Sequence, residues 1–182
     1  MFKTVIEFFR VLRELRYLLP VMRYKFPDPE DQASLAHTFQ ATTEKFSQRP
    51  FLHFEDEMWT YGHTNKAANS LARYFISTGV KHGDRVVLFM ENRPSFVIAL
   101  LALNKIGAIG VLINTSLTGD PLVHCINSSD SVKCIVGAER ADALEDVLDQ
   151  INITQQEDFL WAEDTSQYSL PDWAIDLKSQ LD

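Results

Sequence analysis

Residues 91–117 read ENRPSFVIALLALNKIGAIGVLINTSL, the most apolar stretch of a 182-residue chain. Its reading decides between a membrane span and a soluble core. A spanning helix needs about 20 apolar residues. Here the run from Ser95 to Ile113 is broken centrally by Asn104 and Lys105, with Gly107 beside them. Lysine at a bilayer centre costs about 3 kcal/mol or more. A helix over 94–106, a turn at Gly107 and a strand over 109–114 place the same residues without that cost. Proline suits the first helical position, and glycine the position just past the last. The stretch therefore predicts helix, turn and strand inside a core. A span at 95–113 is the competing expectation.

The pattern continues outward. VVLFM (86–90) is a short continuous apolar run, as expected of a strand buried on both faces. VKCIV (132–136) and DFLWA (158–162) read the same way. Asp120–Pro121 is expected to cap and start a helix, LVHCINSS. AERADALEDVLDQI (138–151) reads as an amphipathic helix with an acidic outer face. Strands alternating with helices across short connections predict an α/β fold with a parallel sheet flanked by helices.

Upstream, Ser34 is expected to cap a helix, SLAHTFQATTEKF. FLHFEDEMWTY (51–61) reads as a β-hairpin around Glu55–Asp56–Glu57. A helix then runs from about Thr64, with Ala67, Leu71 and Phe75 as one stripe and Ala68, Ala72 and Ile76 as the next. Gly79 stops it. After about residue 163 the pattern dissolves into polar and acidic residues with Pro171, which predicts an irregular acidic tail over 163–182 and leaves the sheet incomplete at its carboxy-terminal end.

Charge is unevenly placed. Residues 1–26 carry a net +4, from Lys3, Arg10, Arg13, Arg16, Arg23 and Lys25 against Glu7 and Glu14, whereas the whole chain is at −8. A basic head on an acidic body argues against a general nucleic-acid binder. In the head, Phe2, Val5, Ile6, Phe9 and Leu12 share a helical face, and Pro20 ends or kinks the helix. It lacks the uncharged apolar stretch and cleavage site of a signal peptide. Two expectations stand for this segment: an amphipathic helix at an anionic membrane surface, or a helix packed on another part of the protein. PDPEDQA (27–33) is a polar linker. The expected organisation is a basic amphipathic helix over 1–26, the α/β body over 27–162 and the tail over 163–182.

Chemistry-bearing residues are sparse. His37, His53, His63, His82 and His124 fall at no ligand spacing. Cys125 and Cys134 lack metal-ligand spacing and read as small buried hydrophobes, not as a disulfide. Ser116, Ser128 and Ser129 lie in no nucleophile-elbow context. Glu139, Glu145, Asp146 and Asp149 read as a solvated helix face, and Asp84 as the cap of the turn into its strand. A phosphate cradle needs clustered glycines before a helix. The glycines, at 62, 79, 83, 107, 110, 119 and 137, are not so arranged. The residues by themselves reach parts of an α/β domain with a basic head, and no catalytic, cofactor-binding or metal-ligating residue.

Resemblance carries the reading further. WTY (59–61), the Ala-rich helix, and GVKHGDRVVLFMENRPSFVIALLALNKIGAIGVLINTSL resemble the amino-terminal subdomain of the adenylate-forming (AMP-binding) enzymes. Asn114-Thr115-x-Leu117 followed by Leu122-x-His124-Cys125 is similar to the very-long-chain acyl-CoA synthetase and fatty-acid transport protein branch. The likeness covers about residues 35–150. It implies ATP-dependent conversion of a fatty acid to an acyl-adenylate and then to its CoA thioester, with ATP, Mg2+ and CoA as cofactors. It further implies a peripheral place at the cytoplasmic surface of a membrane, reached through residues 1–26. The family's Ser/Thr- and Gly-rich loop ending in Pro-Lys, its later acidic and Tyr/Thr motifs and its carboxy-terminal lysine do not occur in this sequence.

The resemblance therefore implies an amino-terminal fragment of a long-chain or very-long-chain fatty acyl-CoA synthetase, inactive alone. The alternative expectation is a non-catalytic membrane-surface or partner-binding module on the same scaffold.

Overall fold

The computed structural model describes residues 23–24, 34–163 and 168–180. The chain divides into two compact units, Met1–Ala33 and Ser34–Asp182, and the fold described here is that of the second. The expected basic helix and the 27–33 linker lie outside the described residues, apart from Arg23 and Tyr24.

Helix α1 spans Leu35–Phe46, and Ser34 caps it as expected, its hydroxyl accepting from the His37 amide at 3.1 Å. The hairpin follows as β1 (Pro50–Phe54) and β2 (Glu57–Thr60), paired antiparallel with Phe54 opposite Glu57. Helix α2 spans Tyr61–Ser77, starting three residues before the expected Thr64. The signal for its true start is Thr60, whose hydroxyl accepts from the His63 amide. Phe39, Phe51 and Tyr61, with ring centroids 4.8–5.6 Å apart, lock α1, the hairpin and α2 together.

Strand β3 (Arg85–Phe89), helix α3 (Pro94–Lys105) and strand β4 (Ile109–Leu112) resolve the apolar stretch as helix, turn and strand. Pro94 opens the helix, and Gly107 turns out of it at φ +71°. Among the described residues no helix is long and apolar enough to cross a membrane. Helix α4 (Gly119–Ser128), strand β5 (Lys133–Gly137), the short helix α5 (Ala141–Glu145), strand β6 (Phe159–Ala162) and strand β7 (Ile175–Asp176) complete the unit. Helix α4 starts after Thr118, so Asp120 lies in its first turn and is not its cap. An acidic group in that turn still favours the helix through its dipole.

The sheet is fully parallel in the order β4-β3-β5-β6-β7. Successive side chains of a strand face opposite sides, and both sides are covered. Val86 and Leu88 pack with Leu71, Phe75, Ile98 and Leu103 of α2 and α3. Val87 and Phe89 pack with Leu122 and Ile126 of α4 and with Leu144 of α5. Burying a side chain such as Leu71 or Phe75 contributes about 1.5–3 kcal/mol, and both are fully buried.

Two expectations are corrected. The segment 138–151 is not one helix. It breaks into 3-10 turns at Ala138–Arg140 and Leu148–Gln150 around the five-residue α5. Like charges three and four apart, such as Asp142 with Glu145 and Asp146, disfavour a continuous helix. Asn127 also holds the end of the segment, donating to Gln150 O and accepting from the Asn152 amide. The apolar stripe survives the break, with Ala141, Leu144, Val147 and Ile151 buried. The tail, in turn, is not wholly irregular. Ile175–Asp176 adds β7 beside β6, and Ala174 and Leu177 are buried on either side of it.

Candidate functional site

The chain leaves β3 for β4 on one side through α3, then returns past β3 to β5 through α4. Between β3 and β5 the winding therefore reverses. In open α/β sheets ligands bind at the carboxyl ends of the strands beside such a reversal. Two cavities open there, on either side of the β3–α3 loop, and both include Glu91 and Asn92.

The larger, of about 530 Å3, lies between the hairpin and the ends of the strands. Its apolar wall includes Phe54, Trp59, Ile98 and Leu177. Its ionisable lining is five glutamates, Glu55, Glu57, Glu91, Glu139 and Glu163, against Arg93 and Lys178. The second, of about 520 Å3, has Leu88, Met90, Phe96, Leu112 and Ile113 as its apolar lining and Asn114 and Thr115 at the end of β4.

A charged clamp fixes the loop between them. Glu139, two residues past β5, accepts from the Glu91 amide through Oε1 at 2.7 Å and pairs with Arg93 through Oε2. Arg140 reaches back to Glu91 Oε1 at 2.6 Å. The Arg93 side chain is 9% exposed and that of Glu139 17%, so the pair is largely out of water, where losing one partner is expensive. Glu139 folds over Gly137 so closely that a Cβ there would collide with its carboxylate. Only glycine leaves room for this clamp.

Glu139 is thus not part of the solvated face expected of it, whereas Glu145, Asp146 and Asp149 are exposed. Its signal was weak: a carboxylate directly after a buried strand, 46 residues from its partner. Asp84 caps its turn as expected, accepting from the Lys81 amide at 2.7 Å. The five histidines are exposed and dispersed, and none lines either cavity. Both cysteines are free thiols. Burial pushes the Cys134 thiol well above the ordinary range. Among the described residues no group of three or more His, Cys, Asp or Glu side chains is placed to hold a metal ion.

The larger cavity does not fit a magnesium-bound triphosphate. Phosphate sites converge backbone amides and cations on the ligand, and here glutamates outnumber cations, with Arg93 already paired to Glu139.

Comparison with known proteins agrees with this architecture. The sequence profile of the AMP-binding enzyme family matches residues 39–178. Long-chain fatty acid transport protein 6 of Mus musculus is 29% identical over 143 residues, covering 78% of this chain and 23% of that protein. The medium/long-chain-fatty-acid–CoA ligase FadD6 of Mycobacterium tuberculosis is 34% identical over 116 residues, covering 64% of this chain and 19% of that protein. The chain thus spans about a fifth to a quarter of the length of these relatives. In three dimensions, the anthranilate CoA ligase AuaEII, solved with anthranoyl-AMP, superposes with a TM-score of 0.73 at 17% identity, over 82% of this chain and 28% of that one. The doubly covered parallel sheet is thus a fold shared with adenylate-forming enzymes, and the profile match over most of its length places this chain in the AMP-binding enzyme family.

Proposed function

We propose that this chain supplies the amino-terminal α/β scaffold of an ATP-dependent long-chain or very-long-chain fatty acyl-CoA synthetase and has no ligase activity by itself. The observation that carries the reading is the family match over residues 39–178, joined to relatives named as fatty acid transport proteins and a fatty-acid–CoA ligase. A carboxylate becomes a useful electrophile only when its oxygen is turned into a good leaving group. That step needs cations and preorganised donors aimed at the developing charge. ATP and CoA, both anions, and the Mg2+ that accompanies ATP would engage residues other than those of the crevice, whose lining carries the same negative sign as the two anions. What these residues do is hold the strand ends and the β3–α3 loop rigid through the Glu139 clamp.

The fatty acid substrate belongs to the same proposal, as does attachment of residues 1–26 to an anionic membrane surface on the cytoplasmic side. The net +4 of that segment supports the latter. The test is formation of acyl-CoA from labelled palmitate, ATP and CoA. Activity is expected from the chain extended through the coding sequence that follows Asp182, and none from residues 1–182. Turnover by residues 1–182, or a folded but inert extended protein, would overturn the reading.

A further inference from the structure

Strand β4 lies at one edge of the sheet and, among the described residues, pairs only with β3. The hydrogen bonds to β3 show what that edge offers. The Ile109 amide donates to Asp84 O at 2.8 Å and the Ile113 amide to Leu88 O at 3.1 Å. Along a strand, alternate residues direct both backbone groups to the same neighbour. Ile109, Val111 and Ile113 thus direct theirs to β3, and Gly110 and Leu112 direct theirs outward.

The side chains follow the same alternation. Val111 and Ile113 pack in the α4 layer, on the side that Ile109 shares. Gly110 and Leu112 face the α3 layer, where a Cβ on Gly110 would meet Leu88, Leu100 and Leu103. Leu112 is 57% exposed and Ile109 48%.

These two patterns make the edge complementary to itself. Against its own reversed copy, Ile109-Gly110-Val111-Leu112-Ile113 sets Ile109 opposite Ile113, Gly110 opposite Leu112, and Val111 opposite Val111. In that register the outward backbone groups of Gly110 meet those of Leu112, as residues exchanging hydrogen bonds in an antiparallel pair must. Every opposed pair also faces one side of the sheet. The exposed Leu112 side chain falls over a glycine, which leaves it room, and beside the half-buried Leu100. The chain carries no charge between Lys105 and Asp120, so no like charges are set opposite each other along the strand.

We propose that β4 is a dimerisation edge whose occupant is β4 of a second copy of this chain, antiparallel about a two-fold axis through Val111. The two five-stranded sheets become one, and both copies use the same surface. So short an edge buries less than a standard interface, so the dimer dissociates on dilution. The proposal is independent of the ligase reading, because it rests on the register and side chains of β4 alone.

The first test is sedimentation equilibrium of the 182-residue chain over a dilution series. It is expected to give twice the mass of one chain at the concentrated end and a single chain at the dilute end. Disulfide trapping then reads the register, in a Cys125→Ser background that removes the half-buried native thiol. Cα atoms of a non-hydrogen-bonded pair lie about 4.5 Å apart, within disulfide reach, so Val111→Cys is expected to oxidise to a covalent dimer. Ile109→Cys is more exposed but lies opposite Ile113, away from its own counterpart, and is expected to stay uncrosslinked. Leu112→Lys places a charge in the interface and is expected to weaken the dimer at least about tenfold, while the exposed position keeps the fold. A single-chain mass at every concentration, association that Leu112→Lys leaves unchanged, a folded Val111→Cys variant that does not cross-link, or cross-linking through Ile109→Cys would each overturn the proposal.

Discussion

Asn104 Oδ1 accepts a hydrogen bond from the Ala36 amide at 2.8 Å, across 68 residues of sequence. The polar pair that interrupts the apolar stretch therefore has a structural task. Ala36 lies in the first turn of α1, where amides lack a partner within the helix. Asn104 supplies one from the last turn of α3. Lys105 beside it donates to Gln40 Oε1 at 3.1 Å, and its partial burial lowers its pKa. Asn104→Ala is expected to destabilise the fold by about 1–2 kcal/mol. Chemical denaturation of the variant against the parent checks this, and an unchanged midpoint would show that α1 is held by packing alone.

Loss of the Glu139 clamp should cost more. Glu139→Ala removes the carboxylate that pairs with the largely buried Arg93 and accepts from the Glu91 amide, and loss of these charge-assisted bonds is expected to destabilise by about 1.5–3 kcal/mol. Glu139→Gln keeps an acceptor for the Glu91 amide and should lose less. Hydrogen exchange at the Glu91 amide reads the clamp directly. It is expected to be slow in the parent and much faster in Glu139→Ala.

Gly137→Ala attacks the same clamp from beneath. The added methyl meets the Glu139 carboxylate, so the substitution should reproduce the loss seen for Glu139→Ala. The two changes should also be non-additive when combined, because they disable one interaction. Additive effects would place the role of Gly137 elsewhere.

At one edge of the sheet lies β4, which pairs on its outer side with no other strand among the described residues. It carries no charge, and Ile109 and Leu112 are 48% and 57% exposed. Unprotected apolar edges template pairing between chains. The 182-residue chain is expected to self-associate, and Leu112→Lys should reduce light scattering while shifting the melting temperature little. Equal scattering in the variant would place the sticky surface elsewhere.

The two thiols should separate cleanly. Burial holds the Cys134 thiol protonated at neutral and moderately alkaline pH, whereas Cys125 is only half-buried. A thiol-specific reagent should label Cys125 in the native chain and reach Cys134 only on unfolding.

Much of this fold is legible in the sequence, for identifiable reasons. Pro94, Gly107 and the Asn104–Lys105 pair mark the ends of α3 and exclude a span. The continuous runs in β3, β5 and β6 follow from burial on both faces. Strand β7 was hidden because two residues carry no periodicity and its partner pairs through backbone alone. The true start of α2 was hidden because Thr60 serves both as the last residue of β2 and as the helix cap. The break in 138–151 depends on Asn127, and the role of Glu139 depends on Arg93. Both are contacts between distant segments that local pattern does not encode. The crevice itself follows from strand order, which only the folded sheet reveals.

We propose that adenylate formation lies outside what these residues can do alone. Fatty-acid-dependent exchange of labelled pyrophosphate into ATP measures that half-reaction without the thioester step. The account predicts no exchange with residues 1–182 and clear, palmitate-dependent exchange once the chain is extended through the following coding sequence. Exchange by the 182-residue chain alone would contradict it, as would its absence from a folded, extended protein.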